Sequence, residues 1–177
     1  MAGSVSFTID AEDYYQAQRS HHLRLLRAPQ LWRRIALYAL AAIVLVALFV
    51  TMVNDGDWRI GLVTAAGAVI GGAAMGALFY AIGFAMLRRR SDRLFGQHAS
   101  IRQPFASTWD DTGDRWDGTD TQSRTRWHDY VGWHESEATV LLYLNDLLFQ
   151  VVPKRAFAEA ALADLRATLV AHGPPRR

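Results

Sequence analysis

Two adjacent basic residues, Lys154 and Arg155, are the clearest candidates for chemistry in this sequence. A proline precedes them, and the apolar spacing that follows predicts a helix over about 154–171. Positive charge at a helix N-terminus opposes the helix dipole, whereas the free backbone N–H groups there can bind an anion. The pair therefore predicts either a site for a lipid phosphate or an acidic partner, or internal ion pairs with Asp129 or Glu135.

A second basic cluster consists of Arg88, Arg89 and Arg90. Arginines near a membrane surface attract anionic lipid headgroups by about 1 kcal/mol each. The same triplet follows a long apolar run, where basic residues orient membrane segments. Orientation is the default interpretation, and headgroup binding is the alternative.

Tryptophans at two polar turns suggest a contact surface. Trp109 and Trp116 flank these turns, so we expect them to be exposed and to mark a binding surface. Trp127 and Trp133 lie in alternating, strand-like segments and are expected in the core.

The residue types exclude several chemistries. The chain has no cysteine, which removes disulfides, thiolate metal sites and cysteine nucleophiles. It contains no P-loop, no G-x-G-x-x-G and no G-x-S-x-G motif. The aspartates between 110 and 120 lack the spacing of a calcium loop, and the histidines lack H-E-x-x-H spacing. We expect no catalytic residue, no cofactor and no metal, and the net charge of +2 does not indicate nucleic-acid binding.

Two apolar runs without a charged residue, 35–53 and 60–87, organise the chain. A bilayer core needs about 20 apolar helical residues, so the runs predict a transmembrane helical hairpin. Neither run carries an ionisable group at depth, which argues against an ion pathway or a proton relay.

The second run contains glycines in GxxxG spacing, at Gly67, Gly71, Gly72 and Gly76. Small residues at this spacing allow close helix contact. We expect them to pack the second helix against the first, with homodimerisation as the alternative.

Arginines lie on both outer sides of the hairpin, whereas its loop carries two aspartates and one arginine. The positive-inside rule then predicts a multi-pass protein of the bacterial cytoplasmic membrane with both termini cytoplasmic. The first residues have neither the basic nor the apolar region of a cleaved signal peptide.

The remaining residues form a cytosolic arm, 1–34, and a cytosolic domain, 88–177. In the arm, Ser4–Ile9 alternates like a strand and Asp10 resembles a helix N-cap. Its amphipathic helix is expected either on the membrane or on the C-terminal domain. Strands are predicted in the domain at Ser100–Trp109, Thr121–Trp127, Tyr130–Ser136, Ala138–Leu144 and Leu147–Val152. The predicted fold class is an α+β membrane protein, in which a hairpin joins a small antiparallel β domain capped by a C-terminal helix.

Four segments together resemble the YcxB-like family of bacterial membrane proteins. They are the opening SFTIDAEDYYQAQRSHH, the apolar hairpin, Trp127–Tyr130 and the Val152–Phe157 stretch VPKRAF. The resemblance implies a C-terminal domain similar to pleckstrin-homology modules, and it transfers no catalytic residue.

These observations favour a non-enzymatic membrane protein whose cytosolic module binds a protein partner or anionic lipid. The alternative is an immunity or accessory factor that binds a membrane-acting toxin or enzyme, and an unrecognised membrane hydrolase is a third class. Expected partners are membrane lipids and a protein, with a homodimer possible through the glycines.

Overall fold

The computed structural model describes residues 3–177, and the chain has the predicted α+β fold class. It divides into two compact units. The first unit combines the residues up to His21 with Arg88–Arg177, and the second is His22–Leu87. The helices are α1 (Ala11–Arg27), α2 (Pro29–Val53), α3 (Trp58–Ala85), α4 (Leu87–Gln97) and α5 (Glu159–Ala171). The strands are β1 (Gly3–Thr8), β2 (Pro104–Trp109), β3 (Gly113–Asp117), β4 (Gln122–Arg126), β5 (Gly132–Glu135), β6 (Thr139–Tyr143) and β7 (Phe149–Pro153).

Two antiparallel sheets form the first unit. One sheet has the strand order β1-β2-β3-β4, and the other has the order β5-β6-β7. Strand β1 pairs with β2 along its whole length, from Gly3 opposite Trp109 to Thr8 opposite Pro104. The arm therefore supplies an edge strand to a sheet whose other strands come from the C-terminal part. Of the two predicted locations for the arm, packing on the C-terminal domain describes the residues up to His21.

The core of the first unit lies where these sheets meet α1 and α5. Strand β6 is buried at every residue, because both of its faces are covered. Helix α5 buries Leu162, Leu165 and Leu169 in the same cluster, at the spacing of one helix face. Phe7 of β1 and Ala17 of α1 belong to this cluster too, so both elements of the arm contribute to one hydrophobic core.

Helix α1 begins with a reciprocal cap. The Asp13 backbone N–H donates to the Asp10 carboxylate at 2.8 Å, and the Asp10 N–H donates to the Asp13 carboxylate at 3.1 Å. Each side chain thereby satisfies a backbone donor that has no partner within the helix. Asp10 is the N-cap that the sequence predicts, and α1 ends before Pro29, which opens α2.

Several element boundaries differ from the predicted ones. Residues Ala99–Arg102 form a 3-10 turn instead of the start of a strand. Strand β3 is missing from the prediction, because its two aspartates resemble turn residues. The last helix begins at Glu159 and not at 154, since Lys154–Ala156 is a separate 3-10 turn.

Helices α2 and α3 form the second unit. Both are long and apolar enough to cross a membrane by length and composition, with mean hydropathies of 2.7 and 1.9. They pack closely near their short connection, where Gly61 and Ala65 are buried. A Cβ at Gly61 would collide with the Thr51 hydroxyl and lie 2.7 Å from the Ala47 carbonyl oxygen.

The predicted packing of the four GxxxG glycines on the first helix is wrong. A Cβ added at Gly67, Gly71, Gly72 or Gly76 would meet nothing within 4 Å. The contact between the helices instead passes through Gly61 and Ala65, which have the small-xxx-small spacing nearest the turn.

Candidate functional site

Lys154 is held by a partly buried carboxylate, that of Glu135, and does not lie at the start of α5. Its Nζ donates to Glu135 Oε1 at 2.9 Å and to the Ser136 carbonyl oxygen at 3.1 Å. Arg166 of α5 also donates to Glu135, through Nε at 3.0 Å to Oε1. The hydrogen bonds from Arg166 and then Lys154 lower the pKa of Glu135 to about 2. This cluster joins β5, the turn after β7, and α5.

Arg155 points to the N-terminal arm. Its Nε donates to Asp13 Oδ1 at 3.0 Å, and one terminal nitrogen donates to the Thr8 carbonyl oxygen at 3.0 Å. The same nitrogen lies 3.0 Å from Asp10 Oδ2. The hydrogen bond to Asp13 raises the pKa of Arg155. Arg155 thus binds the two carboxylates that cap α1 and the end of β1.

The internal ion-pair alternative therefore describes both basic residues, with Glu135 as the partner of Lys154. Asp129, the other predicted partner, lies 3.1 Å from His128 Nε2 instead. Because α5 begins only at Glu159, neither cation lies in the first turn of an α-helix. An acidic residue occupies that turn, as the helix dipole favours.

Only one member of the arginine triplet is paired within residues 3–177. Arg88 donates to Glu12 Oε2 at 2.5 Å, and its guanidinium lies 4.8 Å from the centre of the Tyr15 ring. The Glu12 hydrogen bond raises the pKa of Arg88. Arg89 and Arg90 are exposed and have no ion pair in the part of the chain that the structure describes. They remain available for an anionic surface.

The expected exposure of Trp109 and Trp116 is wrong. Their exposed fractions are 2% and 7%, and both belong to the hydrophobic core. The polar residues around them act as acceptors for the indole N–H groups. Trp109 Nε1 donates to Asp164 at 2.9 Å, and Trp116 Nε1 donates to Asp114 at 2.6 Å. A buried indole usually has such a partner.

Asp114 is a buried acid at the centre of a hydrogen-bonded group. It is 3% exposed and accepts hydrogen bonds from Trp116 Nε1 and from the Tyr130 hydroxyl, the latter at 2.8 Å. The same hydroxyl lies 2.5 Å from Gln150 Oε1. Burial raises the pKa of Asp114 to about 6, because the charged form is poorly solvated there, and burial also raises the pKa of Tyr130.

A pair of arginines on β4 was not identified from the sequence. Arg124 and Arg126 are exposed, lie on one face of this edge strand, and line a cavity of about 470 Å³ with Thr112 and Asp129. Arg124 also lines a second cavity of about 220 Å³ beside Asp114. Among the described residues, neither arginine forms a salt bridge, and Arg124 reaches only the Thr112 hydroxyl, at 3.5 Å. The sequence signal that could have identified this pair is the R-x-R spacing within a predicted strand, which places both arginines on one face.

The arginine pair and the cavity of about 470 Å³ that it lines form the best candidate site in the first unit. The smaller cavity is also lined by Asp110 and Asp114, whose carboxylates disfavour an anion there. Guanidinium groups bind carboxylates and phosphates through paired N–H donors. No group of three or more metal-ligating side chains occurs within residues 3–177. The arrangement suits an anion that approaches the free edge of the sheet.

Comparison with known proteins finds a family model that matches part of the chain. The family model described as YcxB-like protein matches residues 109–169, which run from the end of β2 into α5. The resemblance expected from the sequence is confirmed for this segment. No curated protein and no solved structure matches the chain.

Proposed function

We propose that this chain, whose residues 109–169 are YcxB-like, is a bacterial membrane protein that holds a non-catalytic binding unit at the cytoplasmic face. The observation that carries this proposal is the exposure of the two apolar helices. Large apolar side chains such as Leu45, Phe49 and Ile70 are 68%, 68% and 70% exposed. An apolar surface of this extent is stable in contact with lipid and not with water.

The shared sheet supports a hairpin with both ends on one side. Strand β1 precedes the apolar helices and β2 follows them, yet the two strands pair directly. If both helices cross the bilayer, the segments on either side of them must return to the same compartment. The excess of arginine outside the hairpin supports the cytoplasm as that compartment.

The first unit supplies the binding function in this proposal. Antiparallel sheets of four and three strands followed by a C-terminal helix are consistent with a pleckstrin-homology-like module. Arg124 and Arg126, which form no salt bridge among the described residues, favour an anionic group as ligand, carried by an acidic protein segment or by a lipid headgroup.

Membrane insertion is tested by alkaline extraction of membranes from cells that produce the chain. We expect the protein to remain in the membrane pellet. Because the chain has no cysteine, single cysteines then report topology through a membrane-impermeant maleimide applied to intact cells. Asp55→Cys in the loop should be labelled, and Glu137→Cys should be labelled only after lysis. Release by alkali, or labelling of both positions in intact cells, contradicts the proposal.

Binding is tested with the full chain in nanodiscs of neutral lipid. The probes are a polyglutamate peptide and dioctanoyl phosphatidylglycerol, which present a carboxylate and a phosphate. The double variant Arg124→Ala, Arg126→Ala should weaken the binding of at least one of these two probes, and the probe affected identifies the class of anion. Arg115→Ala is the matched control, since Arg115 is already paired with Asp117 at 2.9 Å. If both probes bind the double variant as tightly as the unsubstituted chain, the proposed site is contradicted.

A further inference from the structure

The turn between β6 and β7 presents leucines to solvent. Leu147 and Leu148 are 79% and 61% exposed, and Leu144 is 39% exposed. We call Leu144–Leu148 the apolar tip. Turns in water are normally built from polar residues and glycine, so this composition is unusual for a surface loop.

The geometry of the apolar tip is well defined. The Asn145 side chain accepts hydrogen bonds from the backbone N–H groups of Leu147 and Leu148, each at 2.8 Å. The Leu144 N–H donates to the Leu148 carbonyl oxygen at 2.9 Å, which closes the turn. The backbone N–H groups of Leu144, Asn145, Leu147 and Leu148 thus donate within the turn, which lowers the cost of moving this loop into a less polar environment.

The charge around the apolar tip also fits a lipid surface. Its single acidic residue, Asp146, is paired with Arg177 at 2.8 Å. Arg176 lies over the Trp133 ring at 5.0 Å. Apolar side chains flanked by basic residues bind membrane interfaces through apolar burial together with attraction to anionic lipid.

We propose that the apolar tip inserts into the interfacial region of the bilayer and forms a second membrane contact besides the helical hairpin. The inference rests on the proposed membrane anchoring. Leu147 and Leu148 enter the boundary between headgroups and acyl chains, and Arg176 and Arg177 face anionic headgroups. The contact holds the first unit against the membrane surface.

The test uses the environment-sensitive fluorophore NBD on single cysteines in the otherwise cysteine-free full chain. The labelled variants Leu147→Cys and Leu148→Cys are reconstituted into vesicles of phosphatidylcholine and phosphatidylglycerol. Leu45→Cys in α2 reports anchoring, and Glu137→Cys, in the turn between β5 and β6, is the surface control. Tryptophan emission of each variant reports whether the core remains folded.

We expect brominated lipid to quench the labels at Leu147, Leu148 and Leu45 and to leave the label at Glu137 bright. Lipid brominated near the headgroup end of its chains should quench the Leu147 label more than lipid brominated near the chain ends. Quenching at Leu45 with bright labels at both leucines of the turn overturns the insertion and leaves the anchoring intact. That result is also the one expected if a protein covers the apolar tip. A bright label at Leu45 overturns the anchoring and the insertion together.

Discussion

Glu135 holds three segments of the first unit together, because it accepts from Lys154 after β7 and from Arg166 on α5. Its side chain is 12% exposed. The substitution Glu135→Gln leaves both cations without their counter-charge. We expect it to lower the free energy of unfolding by about 1–2 kcal/mol, as for hydrogen bonds to a charged group that is partly screened by water. Denaturant titration followed by tryptophan fluorescence measures the change.

Glu137→Gln is the matched control, since Glu137 is exposed and has no ion pair within residues 3–177. The effect of Glu135→Gln should also depend on pH. The folded-state pKa of Glu135 is about 2, below its ordinary value of 4.5. The contribution of Glu135 to the free energy of unfolding is therefore present above about pH 4.5 and is lost as the pH falls toward 2. A constant difference between the variant and the unsubstituted chain over that range contradicts this role.

Asp114 should have the opposite pH dependence. Burial raises its pKa from 3.8 to about 6, so the unfolded chain releases this proton at a lower pH than the folded chain. The contribution of Asp114 to the free energy of unfolding is greatest below about pH 4 and is lost as the pH rises through 6. Asp114→Asn keeps the shape and removes the titration, so its melting temperature should decline less between pH 4 and 7 than that of the unsubstituted chain. Asp120→Asn should leave the decline unchanged, and an equal decline in Asp114→Asn contradicts the assignment.

At the residue scale, sequence reasoning found the unusual side chains but not their partners. The charges of Lys154 and Arg155 were visible, and one partner, Glu135, was among the alternatives. The contact of Arg155 with Asp13 joins residues that are far apart in sequence, and no local pattern carries that information. Trp109 and Trp116 were misjudged for a related reason, because polar neighbours do not by themselves indicate a surface. Asp114, beside Trp116, accepts from its buried indole, and the acceptor of Trp109 is the distant Asp164.

At the element scale, the close contact between α2 and α3 depends on Gly61. This residue lies against the Ala47 carbonyl oxygen and the Thr51 hydroxyl, so even a methyl group must displace backbone. We expect Gly61→Ala to destabilise the helix pair by about 1–3 kcal/mol, the usual cost of overpacking. Unfolding in mixed micelles of dodecyl maltoside with increasing dodecyl sulfate, followed by circular dichroism, provides the measurement.

Gly71→Ala is the control for that measurement, because its added methyl group meets nothing within 4 Å. It should be neutral or slightly stabilising, since alanine favours a helix more than glycine. If Gly61→Ala and Gly71→Ala lower the stability of the helix pair equally, the contact through Gly61 is contradicted. The homodimer alternative for the four GxxxG glycines stays a prediction, and crosslinking of Gly71→Ala in native membranes addresses it.

The elements themselves were predicted where their periodicity is strong. The two apolar helices, the capped start of α1 and the last three strands follow directly from hydrophobic pattern and turn residues. Strand β3 was missed because its aspartates have the composition of a turn, and its burial comes from the neighbours β2 and β4. The start of α5 was placed too early because Pro153 can open a helix. Here it ends β7 instead.

At the scale of the whole molecule, one folded unit is assembled from two segments that lie on opposite sides of the apolar helices in sequence. A two-part cytosolic region, an arm and a domain, was the sequence-based description. Nothing in the local pattern of β1 indicates that it pairs with a strand about a hundred residues later. The pairing makes the arm part of the same hydrophobic core, through Phe7 and Ala17.

This arrangement predicts which pieces of the chain can fold without the two apolar helices. A chain of residues 3–27 joined to 88–177 by a flexible Gly/Ser linker keeps β1 beside β2 and Arg155 beside Asp13. A linker of about 20 residues spans roughly 25 Å as a random coil. We expect this protein to be soluble, monomeric and cooperatively folded, as judged by size-exclusion chromatography and a single thermal transition.

Residues 88–177 alone should fail that test. Without β1, the edge of β2 is unpaired and the core loses Phe7, whose ring packs edge-on against Trp116 at 5.3 Å between centroids. Asp13 is also absent, so Arg155 loses a carboxylate partner, and the exposed strand edge favours aggregation. The variant Phe7→Ala in the linked chain should lower the free energy of unfolding by about 3 kcal/mol or more, as for other buried aromatic truncations. If residues 88–177 fold as stably as the linked chain, the arm is not part of the core and the same-side argument for both ends of the hairpin loses its structural basis.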